Sequence, residues 1–344
     1  MPNTDHKTTL RESENNNPIE VMRATACFLV ILLHTSAAVF YEFPTRGWHI
    51  ATLYDSIARP CVPLFLMISG YLMLNNVSPI QSFYRKRFSK ILVPTLFFSI
   101  LYYFAHFIIK KGPGPSEFLP NLLKGPVIYH LWYMYLLLGI YLVIPFFQRL
   151  YASSSESDLK ILIGIWFVFG ILLPNIKEVT GLDISANGYA EASEFFSYLG
   201  YVLWGGFMKK HAINVSMIKT KILASLALVF VSTVAITHWK QKADEAFFVY
   251  NSVFVFFYST YLFHWISKTP VRSLPNIVLL LNNSSFGIYL VHVFYLVLFN
   301  NIGFTGNFIH PSLGIPICAS AIFTISFLTI HIARKVPILR AVTG

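Results

Sequence analysis

Runs of about 20 predominantly apolar residues follow one another through most of this 344-residue chain. A helix of that length crosses the hydrocarbon core of a bilayer. Strands of a membrane barrel instead alternate polar and apolar residues over about ten positions. The sequence therefore predicts an all-α fold, a polytopic membrane bundle of about ten transmembrane helices. The predicted spans are 18–40, 51–74, 90–109, 127–147, 159–176, 194–208, 220–238, 246–267, 276–299 and 311–333.

The composition agrees with a membrane protein. The chain is 55% hydrophobic and 12% charged, whereas a soluble domain is about 25% charged. Its net charge of +11 is also typical of nucleic-acid binding, but the basic residues lie between the apolar runs, where they follow membrane topology. We therefore expect membrane lipids and no nucleic acid as partners. The three isolated cysteines indicate no metal site.

Lysine and arginine set the orientation of the bundle. With the N-terminus inside, 18 of them fall in inner segments and 7 in outer loops, which predicts that both termini are cytoplasmic. Residues 1–17 are polar and predict a disordered cytoplasmic tail. The membrane domain is predicted over 18–337, and residues 338–344 are predicted to form a C-terminal cytoplasmic tail.

Two ionisable residues share one face of the first span. Arg23 and His34 are eleven residues apart, about three helical turns, so they lie about 16 Å apart along the helix axis. A neutral imidazole in a dry site suits a general base towards a hydroxyl, and a guanidinium at the inner surface suits phosphates. A hydrogen-bonded packing role for His34 and a snorkelling anchor role for Arg23 remain open.

Other polar groups lie at depth. Arg59 is inside an apolar run just before Pro60 and Pro63, so it is expected to be paired or to line a cavity. His292 in the ninth span lies close to the level of His34. His130 and Trp132 begin the fourth span at the outer edge. The segment 85–90 is the densest basic cluster, and it fits a lipid anchor or a landing surface for a polyanionic donor.

Four segments together resemble the acyltransferase-3 family of membrane acyltransferases. They read IEVMR…LHT over 19–35, RPCVPLFLMISGYL over 59–72, YHLWY over 129–133 and SFGIYLVH over 285–292. The resemblance covers about residues 18–337. Within that family the chain is similar to stand-alone bacterial O-acetyltransferases of surface polysaccharides, such as the type acting on enterobacterial common antigen.

The resemblance implies roles for single positions. Its Arg-x10-His pattern matches Arg23 and His34, with the histidine catalytic, and its Ser-Gly-aromatic-Leu motif begins at Ser69. Its basic Arg-x-x-Arg pattern falls on Arg87 and Lys90, where lysine keeps the charge but loses the bidentate fork. The family implies acetyl-CoA as a cytoplasmic acyl donor and no permanently bound cofactor.

The sequence thus predicts a multi-pass bacterial inner-membrane O-acetyltransferase that acts on a lipid-linked or nascent polysaccharide. His34, Arg23 and Arg59 are the candidate catalytic residues. Arg23, Ser69, Arg87 and Lys90 are expected to bind the donor. His130, Trp132 and His292 are expected to orient the acceptor. A transporter or flippase for a lipid-linked sugar is the alternative, and a structural subunit of an export complex is a third possibility.

Overall fold

A computed structural model describes residues 4–110, 114–182, 189–211, 213–271 and 273–343, with side chains described outside 4–16, 109–110 and 189–193. These residues form helices and no strand. The α-helices are α1 (Thr4–Phe40), α2 (Trp48–Ala58), α3 (Cys61–Met73), α4 (Ile80–Phe83), α5 (Ser89–Lys110), α6 (Phe118–Lys124), α7 (Trp132–Ser153), α8 (Glu156–Trp166), α9 (Leu173–Thr180), α10 (Tyr189–Lys210), α11 (Ile218–Lys240), α12 (Val253–Lys268), α13 (Asn276–Asn301), α14 (Pro311–Ala333) and α15 (Pro337–Thr343).

The predicted fold class is confirmed. Eight stretches of the described residues are long and apolar enough to cross a membrane, and each coincides with a predicted span. The two other predicted spans correspond to α10 and α12. Helix α12 has only 16 residues. Helix α10 packs closely against α3, so protein covers much of its surface. The sidedness of the bundle stays a prediction.

Proline divides the second span where the sequence predicted a break. Helix α2 ends at Ala58 and α3 begins at Cys61. Pro60 and Pro63 have no backbone N–H, so the carbonyls of Ser56 and Arg59 lose the helical donors four residues ahead. Irregular backbone at this depth is tolerated because protein surrounds it.

Helices α1 and α13 run parallel and in register. The Arg23 Nη1 donates to Asn282 Oδ1 over 2.8 Å, an offset of 259 residues. One turn further on, Cys27 Sγ lies 3.4 Å from the Ser285 carbonyl, an offset of 258. Near the other end, the rings of His34 and His292 stack at 5.4 Å. The face of α1 that carries Arg23 and His34 therefore packs along α13.

Glycines let α3 and α10 approach closely. A Cβ on Gly70 would lie 1.7 Å from the Val202 carbonyl oxygen, and one on Gly205 would lie 2.0 Å from the Met67 carbonyl oxygen. Small residues allow such contacts between membrane helices. Because Gly70 faces α10, the neighbouring Ser69 is turned away from α10 and towards the cavity described below.

The structure describes part of each predicted terminal tail. Helix α1 begins at Thr4, within the predicted N-terminal tail, while residues 1–3 lie outside the described residues. The disorder of that tail stays a prediction. At the other end, most of the predicted C-terminal tail forms α15, which packs against α5, α13 and α14. Thr343 is buried, and Gly344 lies outside the described residues.

Candidate functional site

A cavity of about 760 Å³ opens at the predicted cytoplasmic end of the bundle. Its walls come from α1, α3, α5, α7, α13 and the C-terminal segment. Five cationic side chains line it. They are Arg23, Arg87, Lys90, Arg334 and Arg340. All four residues that were predicted to bind the donor line this cavity. They are Arg23, Arg87, Lys90 and the uncharged Ser69.

Local structure turns the predicted cations into the cavity. Arg23 is held by its bond to Asn282. Arg87 lies in a π-helical turn, Tyr84–Phe88, that precedes α5. Lys90 follows on the first turn of α5. Such wide turns are frequent at functional sites because they redirect side chains within a continuous helix.

Two further cations, Arg334 and Arg340, line the cavity. No motif indicated them, and in the sequence they count only among the basic residues of the inner segments. Arg334 follows α14, and its Nη1 donates to the Asn283 carbonyl over 2.7 Å. Arg340 lies on α15 and is exposed at the opening. Burial and the neighbouring charge of Arg340 lower the pKa of Arg334, and both arginines line the same cavity. Adjacent Asn282 and Asn283 therefore each hold one arginine at the cavity.

No aspartate or glutamate is among the described residues that line the cavity. Glu20 lies close enough to Arg23 to interact electrostatically, but it does not line the space. A half-open cavity with several positive charges and no lining carboxylate favours a ligand with several negative charges. Guanidinium groups in particular match phosphate through paired N–H donors.

Three histidines meet at the predicted outer half of the bundle. The ring centroid of His292 lies 5.4 Å from that of His34 and 5.3 Å from that of His130. They come from α1, α13 and the turn before α7. His130 and His292 are buried, and His34 is half-buried. The sequence predicts that His34 and His292 lie at a similar depth in the membrane, and their contact agrees with that prediction. The contact of His130 with His292 depends instead on how α7 packs.

The hydrogen bonds of this cluster leave ring nitrogens available. His292 Nδ1 lies 2.6 Å from the Tyr289 carbonyl, which only accepts, so the neutral ring carries its proton on Nδ1 and a lone pair on Nε2. Among the described residues, that Nε2 is buried without a hydrogen-bond partner, and neither ring nitrogen of His130 makes a hydrogen bond of good geometry. Buried polar atoms are normally paired, so the cluster has spare capacity for a polar ligand.

Tyr289 lies between the cavity and the histidines. Its ring lines the cavity and lies 5.7 Å from His292 and 5.8 Å from His130. Its hydroxyl donates to the His130 carbonyl. Tyr133 lies beside it at 5.6 Å and also lines the cavity. We call Tyr133 and Tyr289 the tyrosine layer. The three histidines do not line the cavity, so this layer separates Arg23 from His34.

Arg59 has protein partners around its guanidinium. Its Nε lies 2.7 Å from Asp55 Oδ1, and its Nη1 donates to the Phe248 carbonyl over 3.1 Å. Glu245 approaches its Nη2 at 3.6 Å, and the Phe248 ring lies 4.2 Å from its Cζ. It was predicted to be paired or to line a cavity, and the structure shows the pairing. Arg59 is close enough to His34 to interact electrostatically, and its catalytic role stays a prediction.

Trp132 is directed away from the histidines. Its ring stacks on Tyr250 at 6.0 Å and packs on Tyr198 at 5.4 Å. It therefore belongs to an aromatic cluster with α10 and the loop before α12. A role for Trp132 in orienting an acceptor stays a prediction.

Fold and site define the class of this protein as a multi-pass helical membrane protein in which, among the described residues, a cavity lined by five cationic side chains lies next to a cluster of three histidines. Residues 16–331 match the acyltransferase domain family known as acyltransferase 3, so the chain belongs to that family and is a membrane acyltransferase. The expected family resemblance is thereby confirmed over nearly the whole chain. Neither a curated protein nor a solved structure gives a significant match to this chain.

Proposed function

We propose that this acyltransferase is a bacterial inner-membrane O-acetyltransferase. It takes an acetyl group from cytoplasmic acetyl-CoA and transfers it to a hydroxyl of a lipid-linked or nascent polysaccharide, in the manner of the enterobacterial common antigen type. The observation that carries the proposal is the five-cation cavity that adjoins the histidine cluster across the tyrosine layer.

The donor half of the proposal follows from charge and size. Coenzyme A carries three phosphate groups on its nucleotide and ends in a long pantetheine arm. The phosphates match Arg87, Lys90 and Arg23, through charge-assisted hydrogen bonds. The arm then extends along α1, where about 16 Å separate the levels of Arg23 and His34. A volume of about 760 Å³ falls within the usual range for small-molecule sites, about 300–1,000 Å³.

The chemical step assigned to His34 is general base catalysis. The imidazole takes the proton from a sugar hydroxyl while the hydroxyl oxygen attacks the thioester carbonyl. The carbon–sulfur bond then breaks, and the leaving thiolate takes the proton from the imidazolium. His292 stacks on His34 and fixes its ring plane, while His130 and the Nε2 of His292 offer hydrogen bonds to the acceptor.

The tyrosine layer requires a movement in this mechanism. The thioester enters from the cavity, and Tyr133 and Tyr289 close the cavity towards the histidines. Rotation of the Tyr289 side chain would break its bond to the His130 carbonyl and open the path. Before that movement, the closed layer would keep water in the cavity from reaching the histidine cluster.

The acceptor half follows from the exposure of His34. The ring is half-buried but does not line the inner cavity, so its exposed part faces elsewhere. Tyr129, whose ring lies 5.2 Å from it, is 52% exposed. An acceptor that approaches His34 from the outer half of the membrane is a lipid-linked glycan rather than a cytosolic sugar.

Label transfer tests the function directly. The protein in liposomes is supplied with acetyl-CoA labelled in the acetyl group and with lipid-linked glycan extracted from the source bacterium. Label that appears on glycan and is released by mild base, as an ester is, supports the proposal. Glycan that crosses the membrane without label would instead support a transporter, and label that appears only on water-soluble acetate would contradict glycan transfer.

A further inference from the structure

We infer that the C-terminal segment from Arg334 to Thr343 is part of the donor site, and that Arg334 and Arg340 bind phosphate groups at the nucleotide end of the acyl-CoA. The inference rests on the proposed use of acyl-CoA. It adds two cations from the C-terminal segment to the basic cluster that the sequence motif indicated.

The segment is fixed in place rather than free. Val336 N donates to the Ala333 carbonyl over 3.0 Å and Arg340 N to the Val336 carbonyl over 2.9 Å, so α15 continues α14 after a tight turn. At its end, Thr343 Oγ1 donates to the Leu339 carbonyl over 2.9 Å.

Gly287 makes the docking of α15 possible. A Cβ at Gly287 would lie 2.9 Å from the Thr343 carbonyl oxygen and 2.8 Å from Ile330 Cγ2. The close approach of α13 to the end of the chain holds α15 at the edge of the cavity. Arg340 and Ala341 consequently form part of its lining.

The positions of the arginines match a phosphate ligand. Arg334 is oriented by its hydrogen bond to the Asn283 carbonyl and lines the cavity. Arg340 is exposed at the opening and lines the same cavity. Two guanidinium groups that repel each other are stabilised by an anion between them. A phosphate held there remains at the water-filled opening, with the thioester pointing inward.

The experiment compares two donors on the same protein. The double variant Arg334→Gln/Arg340→Gln is assayed with acetyl-CoA and with S-acetyl-pantetheine, which lacks the nucleotide and its phosphates. We expect the KM for acetyl-CoA to rise about tenfold or more, since each lost contact is a hydrogen bond to a charged group. Turnover of S-acetyl-pantetheine should change less than twofold, which also shows that the variant is folded.

Lys335→Gln is the matched control, because Lys335 is a neighbouring exposed cation that does not line the cavity. Its KM for acetyl-CoA should stay close to that of the wild-type protein. Equal losses with both donors, or an equal loss in the Lys335 variant, would overturn the inference. A wild-type protein that uses no acetyl-CoA would contradict the proposed function, whereas a wild-type protein that uses it with no effect of the double variant would contradict only the inference.

Discussion

The cavity and the histidine cluster are neighbours in the bundle, but they differ in exposure to solvent and in charge. The cavity is open, holds five cations, and contains no lining carboxylate in the described residues. The cluster is packed, with His130 and His292 buried and with the His292 Nε2 unpaired among the described residues. Charges that bind phosphate can keep contact with water, whereas an imidazole that accepts a proton must be neutral and near its substrate. Separate environments allow both in one bundle.

Removing the base should have the largest effect. We expect His34→Ala to lower kcat for glycan acetylation about 10²- to 10⁴-fold, which is the usual contribution of a general base. Its affinity for acetyl-CoA should remain, since His34 does not line the cavity. The measurements are turnover in liposomes and binding of acetyl-CoA to the purified variant. His106→Ala is the control, because His106 is exposed at the far end of α5. Near-normal turnover of the His34 variant would remove it from catalysis.

Neutralising the basic cluster should affect the cavity alone. For Arg87→Gln/Lys90→Gln we expect KM for acetyl-CoA to rise about tenfold or more, with kcat at saturation nearly unchanged, because each residue contributes a charge-assisted contact. The difference from the wild-type protein should shrink as salt is added, since exposed charges are screened.

The chain supplies a matched control for that variant. Arg85 and Lys86 belong to the same cluster and are exposed, but they do not line the cavity. Arg85→Gln/Lys86→Gln should therefore leave KM near the wild-type value. If the two double variants have the same KM for acetyl-CoA, the basic cluster acts as a general lipid anchor. The assignment of donor binding to the cavity would then be wrong for Arg87 and Lys90.

The tyrosine layer should show the smallest effect. Tyr289→Phe keeps the ring but removes the hydroxyl that donates to the His130 carbonyl. The loss of one neutral hydrogen bond is about 1 kcal/mol, so we expect kcat to change about fivefold. Tyr133→Phe removes a neighbouring hydroxyl that makes no hydrogen bond among the described residues, and it should change kcat less. Kinetics of both variants with acetyl-CoA test this, and a larger effect at Tyr133 would contradict the assignment.

Much of the site was predictable because it lies on regular helices. The spacing of Arg23 and His34 defined one face of α1, and the structure packs that face against α13. The Pro60 break was visible because proline removes a backbone donor wherever it occurs. Ser69, Arg87 and Lys90 followed from the family motifs, and they line one cavity.

Other parts depended on contacts between distant segments. Arg340 belongs to a short helix in the segment that the sequence predicts to be a tail, and the docking of this helix beside Gly287 brings Arg340 to the cavity. The approach of Glu245 to Arg59 joins two segments that are far apart in sequence, whereas Asp55 lies only four residues before Arg59. The tyrosine layer had no sequence signal, because buried tyrosines are common in a chain with 19 of them.

A bundle of membrane-spanning helices, and the helix faces that carry charge and imidazole, can be predicted from the amino-acid order. That follows because apolar length and helical periodicity are local properties of the chain. The folded bundle was needed to show that three histidines meet, that two arginines from the C-terminal end join the cavity, and that Tyr133 and Tyr289 separate the two regions. These arrangements depend on how non-neighbouring helices pack, and packing is set by side-chain shape across contacts that no local pattern encodes.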